Sequence, residues 1–193
     1  VIKAIKVTNS EKIKTIVRQT FEGDDILFLK YHLINNDKAR AIEKTTQQIL
    51  DSLKAEKKYE FYVMVDDADN EIGYFSGMVY GGLKVATSIL HSFGLQVAYR
   101  KKENTIRLFE LAKETLGGAS MTCLLFQKNT RAIKSCFLYG FEEMGAGILD
   151  ENKEPYTILK LKIDASNDNR CGCRHCDNSG KCKSAIKEQA SGS

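Results

Sequence analysis

The chain has 193 residues, of which 42% are hydrophobic and 28% charged. Those proportions allow a packed soluble core and exclude wholesale disorder, and the length suits one domain with room for an appendage. No apolar run approaches the ~20 residues of a membrane-spanning helix, so no membrane partner is expected. Lysines interrupt the opening Val1-Ile-Lys-Ala-Ile-Lys6, which does not read as a secretory signal, and the cytoplasm is the default expectation. Basic residues outnumber acidic ones 29 to 25, a net charge of +4 that is too mild to announce nucleic acid.

Lysine alternates with apolar residues from Ile2 to Val7, a short strand pattern. Thr8, Asn9 and Ser10 then offer helix caps, and Ile13, Ile16, Val17 and Phe21 recur at helical spacing. After a break at Phe21-Glu-Gly-Asp-Asp25, the stretch from Asp37 to Lys57 predicts a second helix. Its face carries Ile42, Thr46, Ile49 and Leu53. Tyr59 to Val65 reads as a strand, Asp66-Asp-Ala-Asp-Asn70 as a turn, and Ile72 to Tyr80 as the returning strand before Gly81-Gly82. Ser88 to Val97 predicts a further strand, followed by a charged turn from Tyr99 to Asn104. An amphipathic helix follows, with Ile106, Phe109, Ala112 and Leu116 on one line and Gly117-Gly118 at its end. Met121 to Phe126 suits a buried strand, and Asn129 caps a short helix with Ala132, Ile133, Cys136 and Phe137 inward. Phe141 to Ile148 and Tyr156 to Ile163 are two closing strands. At Asp164 the composition turns to Ser, Asn, Asp, Gly and Cys, so the reading is a domain over 1–163 and a tail over 164–193.

This order predicts an α/β fold: a mixed sheet with helices on both faces. Two segments carry a more specific likeness, Leu95 to Glu110 and Asn129 to Phe141. In them the chain resembles the GNAT family of acyl-CoA-dependent N-acyltransferases, and the resemblance covers Ile2 to about Ile163. It implies a mostly antiparallel sheet, acetyl-CoA as cosubstrate and an amine as acceptor. It also implies that the thioester lies along Phe93–Leu95 and Met121–Phe126. The pyrophosphate would then sit at a helix N-terminus, on the turn Arg100, Lys101, Lys102, Glu103, Asn104 and Thr105, with Asn129 nearby.

The chain departs from the family pattern in three places. Glu103 and Thr105 stand where the family's turn carries small residues, and Glu103 puts a carboxylate beside the expected phosphates. Cys136 occupies the position of a tyrosine that protonates the leaving thiolate, with Tyr139 about one helical turn beyond. Either could be the acid; the plainer readings are core filler for Cys136 and an amphipathic ring at a helix end for Tyr139. For a general base His91 is the candidate, on the strand feeding the turn, because imidazole titrates in the right range. Asp66, Asp67 and Glu71 are the other candidates. These departures leave a second reading open, a catalytically degenerate GNAT-like domain serving as a structural or adaptor subunit, for example in a viral particle.

The tail is a separate problem. Cys171, Cys173, Cys176 and Cys182 fall within twelve residues, whereas the rest of the chain holds only Cys123 and Cys136. The Cys-x-Cys-x2-Cys-x5-Cys spacing with its glycines suits four thiolates around one tetrahedral Zn²⁺, a small Cys-rich knot in which His175 could replace one sulfur. Iron–sulfur or copper(I) ligation, two cramped disulfides and free thiols are the other readings. A protein partner would also order such a tail, whereas its net charge of +1 gives nucleic acid little purchase. The zinc reading predicts one zinc per chain by elemental analysis of reduced protein. Chelation should open Arg170 and Arg174 to trypsin while leaving the melting of 1–163 nearly unchanged. Substoichiometric metal, or the four sulfurs found in disulfides, would exclude it.

Overall fold

Residue Gly77 has almost no space beside it, and the reason for that organises the sheet. The computed structural model describes residues 1–23, 37–81, 86–148 and 154–163. All of these lie in the first of two units, Val1–Ile163; the second, Asp164–Ser193, lies outside the described residues.

In chain order the elements are β1 (Lys3–Lys6), α1 (Ser10–Phe21), α2 (Lys38–Ala55), β2 (Tyr59–Val65), β3 (Glu71–Gly81) and β4 (Ala86–Leu95). They continue with α3 (Lys102–Leu116), β5 (Ser120–Phe126), α4 (Thr130–Tyr139), β6 (Glu142–Ile148) and β7 (Pro155–Lys162). The strands form one sheet in the order β1-β2-β3-β4-β5-β7-β6, antiparallel throughout except for the parallel pair β4–β5. This is the mixed sheet with helices on both faces that the order of elements predicts, and it is mostly antiparallel, as the resemblance implies.

Side chains alternate across a strand, so each central strand feeds two cores. On one face Phe61, Val63 and Tyr74 meet Ile13, Ile16 and Val17 of α1 and Ile42 and Ile49 of α2. On the other, Phe75, Leu90, Met121 and Leu159 meet Leu108, Phe109 and Ala112 of α3 and Cys136 of α4. Each helix therefore buries one stripe and leaves its charged side to water.

The helix ends follow local chemistry. Lys12, Arg40 and Ala132 donate their backbone N–H groups to the side chains of Asn9, Asp37 and Asn129, which cap α1, α2 and α4 at 2.9, 3.0 and 3.3 Å. Helix α4 ends where Gly140 takes a φ of +107°, with the Phe141 N–H returning to the Cys136 carbonyl at 3.0 Å and the Gly140 N–H to Phe137. Only the left-handed glycine lets both orphan carbonyls be satisfied, and the turn drops Phe141 into the core against Phe109.

Strand β4 and helix α3 differ from their expected bounds. The strand ends at Leu95 rather than Val97, because Val97–Tyr99 winds into a 3-10 turn with the Tyr99 N–H on the Gln96 carbonyl at 2.9 Å. The helix then begins at Lys102, which brings Glu103, Asn104 and Thr105 out of the expected loop and into its first turn.

One irregularity sets the path of β4. Ser76 pairs with Ser92 but Gly77 pairs with Leu90, so His91 is an extra residue, a β-bulge. A Cβ on Gly77 would lie 2.1 Å from the Ile89 carbonyl oxygen and 2.9 Å from Leu116 Cδ1. Gly77→Ala should therefore force the bulge to shift and cost about 2 kcal/mol or more of stability, read from urea unfolding. A loss of only a few tenths would mean that the strands are not held this closely.

Candidate active site

Strands β4 and β5 pair in parallel only from Thr87–Ser120 to Leu90–Cys123. Beyond that point β4 stays with β3 as far as Leu95, and β5 stays with β7 as far as Phe126. The two part, and a cleft of about 400 Å³ opens between them. Phe93, Leu95, Leu124 and Phe126 form its apolar floor. The Gln96 N–H bonds the Ile72 carbonyl on β3, so the period of two turns the backbone groups of Leu95 and Phe93 away from β3 and into the gap. Consistent with this, the Leu95 carbonyl accepts from Arg100 Nε at 2.9 Å.

One end of the cleft is the start of α3. Its cap residue, Lys101, makes no side-chain capping bond, unlike the caps of the other three described helices. The first amides of a helix have no partner within it and carry the positive end of its dipole. Lys101, Lys102 and Thr105 line the cleft here, with Arg131 of α4 also in its wall. The arrangement suits an anion carrying several oxygens.

Not every residue of the expected turn faces this space. Glu103 and Asn104 do not line the cleft; Glu103 is exposed, and Asn104 Nδ2 donates to the Tyr99 carbonyl at 2.8 Å. The carboxylate expected beside the phosphates is thus turned out of the cleft. Arg100 does line it, while its guanidinium ties the end of β4 to α1 through the Leu95 and Thr20 carbonyls. Thr105 Oγ1 bonds back to the Lys101 carbonyl at 3.1 Å, and Asn129, also in the wall, uses its side chain to cap α4.

The two candidate acids are separated by burial. Cys136 is fully buried, its sulfur 3.9 Å from that of Cys123, and it does not line the cleft. That hydrogen bond, with burial behind it, raises its thiol well above the ordinary range. A donor facing the cleft is therefore not at Cys136, because helical spacing turns that position into the core. Tyr139 does line the cleft, half-buried and packed against Phe109 with ring centroids 5.0 Å apart. Burial, then the carboxylates of Glu110 and Glu114, push its phenol above the ordinary value.

Among the candidate bases, His91 lines the cleft, and Asp66, Asp67 and Glu71 do not. Asp66 is consumed by the hairpin: the Asn70 side chain and backbone and the Ala68 N–H all donate to it and hold its carboxyl below the ordinary value. Asp67 stays exposed, and Glu71 pairs with Lys12. The bulge turns His91 and Ser92 to the same face, where His91 Nδ1 lies 2.6 Å from Tyr59 Oη.

Sequence reasoning missed Phe21, Ile106, Arg131, Ser135 and Leu138, all in the cleft wall. Arg131, Ser135 and Leu138 stand at helical spacing on the face of α4 opposite its apolar stripe, a signal that was there to read. Nothing local marks Phe21. The cysteines Cys171, Cys173, Cys176 and Cys182 lie outside the described residues, and among the described ones no group of three or more His, Cys, Asp or Glu is placed to hold a metal. Nor is any described helix long and apolar enough to cross a membrane.

No family model and no curated protein matches the chain by sequence. Solved structures do match it by shape. One, assigned as an acetyltransferase of the GNAT family from Desulfovibrio desulfuricans, superposes with a TM-score of 0.64 at 13% identity, over 85% of this chain and 100% of that one. The spermidine/spermine N-acetyltransferase SpeG of Vibrio cholerae gives 0.55 at 9% identity, covering 84% and 95%. The ribosomal-protein-S5-alanine acetyltransferase of Vibrio fischeri gives 0.52 at 12%, covering 85% and 94%. At such identities the likeness is one of fold, and the chain has the GNAT acetyltransferase fold.

Burial also governs Tyr59, whose phenol is pushed up to about 12, with a smaller opposing effect of Ser76. A phenol raised from about 10 in the unfolded chain contributes stability that is complete below about pH 10 and lost as pH climbs through the folded value. Unfolding free energy should fall between about pH 10 and 12, more gently in Tyr59→Phe than in the parent. Equal slopes would show that Tyr59 is not held this way.

Proposed function

We propose that this chain is an acyl-CoA-dependent N-acyltransferase that moves an acetyl group from acetyl-CoA to an amine. The observation that carries the reading is the uncapped start of α3, flanked by Lys101 and Lys102, at one end of a cleft opened by the parting of β4 from β5. Phosphate oxygens of the cosubstrate match the first-turn amides and the two lysines. The apolar floor of Phe93, Leu95 and Leu124 suits the less polar arm leading to the thioester. Glu103, turned out of the cleft, does not oppose the anion there.

The chemistry assigned to these groups balances. His91 takes a proton from the acceptor ammonium, and the neutral nitrogen bonds to the thioester carbonyl carbon. As that oxygen gains charge, backbone N–H groups of β4 facing the gap donate to it. The C–S bond breaks, and the departing thiolate takes the Tyr139 proton. The extra proton left on nitrogen restores the Tyr139 phenol, and His91 returns its own proton to solvent. Names of like-folded proteins span a polyamine and a protein alanine, so the fold leaves the acceptor's identity open. For the tail we propose a structural zinc held by Cys171, Cys173, Cys176 and Cys182, supported by their spacing.

Acetyl-CoA at a hundred times its dissociation constant should raise the unfolding free energy by about 2.7 kcal/mol. Lys101→Glu/Lys102→Glu should weaken binding at least about tenfold, since two charges beside the phosphates change sign. Glu103→Gln should leave it within about twofold. Release of free coenzyme A thiol in the presence of an amine panel reads the transfer itself. No thermal shift at millimolar acetyl-CoA would refute the binding, and binding without turnover on any amine would favour the adaptor reading.

A further inference from the structure

The two edges of the sheet are built differently. At one, β1 carries Lys3 and Lys6, which pair with Asp69 and Glu60. Charged side chains on an edge strand discourage another strand from adding to it. At the other, β6 reads Glu-Glu-Met-Gly-Ala-Gly-Ile, with no lysine, arginine or proline. Its two glutamates and the bulge between Glu143 and Gly145 guard only the first half of the strand. Beyond them Met144 is 59% and Ile148 64% exposed, and a Cβ on Gly145 would meet nothing within 4 Å.

The direction of the bare backbone groups follows from the ladder. The Gln127 N–H donates to the Pro155 carbonyl at 3.0 Å, and the Ile163 N–H to the Ala119 carbonyl at 2.9 Å. Pro155 and every second residue after it in β7 therefore turn their backbone groups toward β5. Tyr156 and Ile158 turn theirs the other way, toward Gly147 and Gly145 of β6. Ala146 and Ile148, opposite Thr157 and Pro155, are left with N–H and C=O groups pointing off the sheet. An edge with main-chain donors and acceptors at alternate residues, beside apolar side chains, is matched by another strand.

Symmetry decides which strand. A two-fold axis at Ala146 lays β6 antiparallel on β6 of a second copy, and Ala146 exchanges two backbone hydrogen bonds with its own counterpart. The same register sets Met144 opposite Ile148 at both ends and Gly145 opposite Gly147. Moving the axis to Gly145 would instead oppose Ile148 with Glu142, a carboxylate against an apolar side chain. We propose that β6 docks β6 of a second copy of this chain in the Ala146 register, joining two seven-stranded sheets into one. Each copy offers the same patch, as a closed two-fold contact requires. A contact built on one short strand per copy is small against the ~800 Å² per partner of a standard interface, so the dimer forms and dissociates with concentration. Nothing in this depends on the acyltransferase reading.

The test is sedimentation velocity of the full chain under reducing conditions, which keep disulfides from linking copies. The 21.7 kDa monomer should give way to twice that mass as concentration rises. The change should fall between about 1 and 300 μM. Amide exchange should show the Ala146 and Ile148 N–H groups protected in the dimer and open in the dilute monomer, with Gly145 and Gly147 protected in both. Ala146→Pro removes an outward N–H that β7 does not use, so it should weaken association at least about tenfold. Should that variant not fold, Ile148→Lys places a charge on the same edge and should do likewise. A monomer throughout this range overturns the proposal, as does a dimer that neither variant weakens. So does protection of Ala146 and Ile148 in the dilute monomer, which would mean that the chain covers its own edge.

Discussion

The pairing of β4 with β5 ends at Leu90–Cys123, and the rest of the site depends on that ending. A sheet interior rarely leaves backbone groups without partners, because burying them unmet costs free energy. Here two strands in the middle of a seven-stranded sheet let go of each other while each keeps its outer neighbour. The result is a cleft whose walls are strand edges, with backbone N–H and C=O groups turned inward. The bulge at His91 helps to steer β4 away, since an extra residue adds local twist and bend.

Such a parting would be weak without support from both faces. The core beneath α1 and α2 holds β2 and β3 on one face, and the core beneath α3 and α4 spans β2 to β5 and β7 on the other. Arg100, in the cleft wall, ties the end of β4 to α1 by bonding the Leu95 and Thr20 carbonyls.

Charge is arranged to match. The opening carries the α3 N-terminus, Lys101, Lys102 and Arg131, and the acidic residues nearest in sequence, Glu103 and Glu110, stay out of its lining. Glu103 instead sits in the first turn of α3, where a carboxylate favours the dipole from outside the cleft. Cys136 and Tyr139 likewise divide by helical phase. Three residues is about 300° of turn, which leaves the two side chains only about 60° apart, so Tyr139 stands at the margin of the face that buries Cys136 and reaches the cleft wall.

Periodicity and caps are legible in the sequence because they are local. The alternation of Tyr59 to Val65, the caps at Asn9 and Asn129, and the Gly140-Phe141 stop each act within a few residues. So did the likeness to the GNAT fold, which rests on the order of elements and two short segments. What could not be read was decided by contacts between distant segments. No local pattern shows that Ser76 pairs with Ser92 while Gly77 pairs with Leu90, so the bulge, and the burial of Cys136 against Cys123, were invisible. The Val97–Tyr99 turn was missed for a related reason: strand and 3-10 turn differ little in propensity there, and the end of pairing with β3 chose between them. Side-chain periods of 2 and 3.6 are enough to specify the elements and the polarity of each face. Where two neighbouring strands part is settled by contacts across the fold, because that balance is struck between hydrogen bonds and packing from several other elements at once.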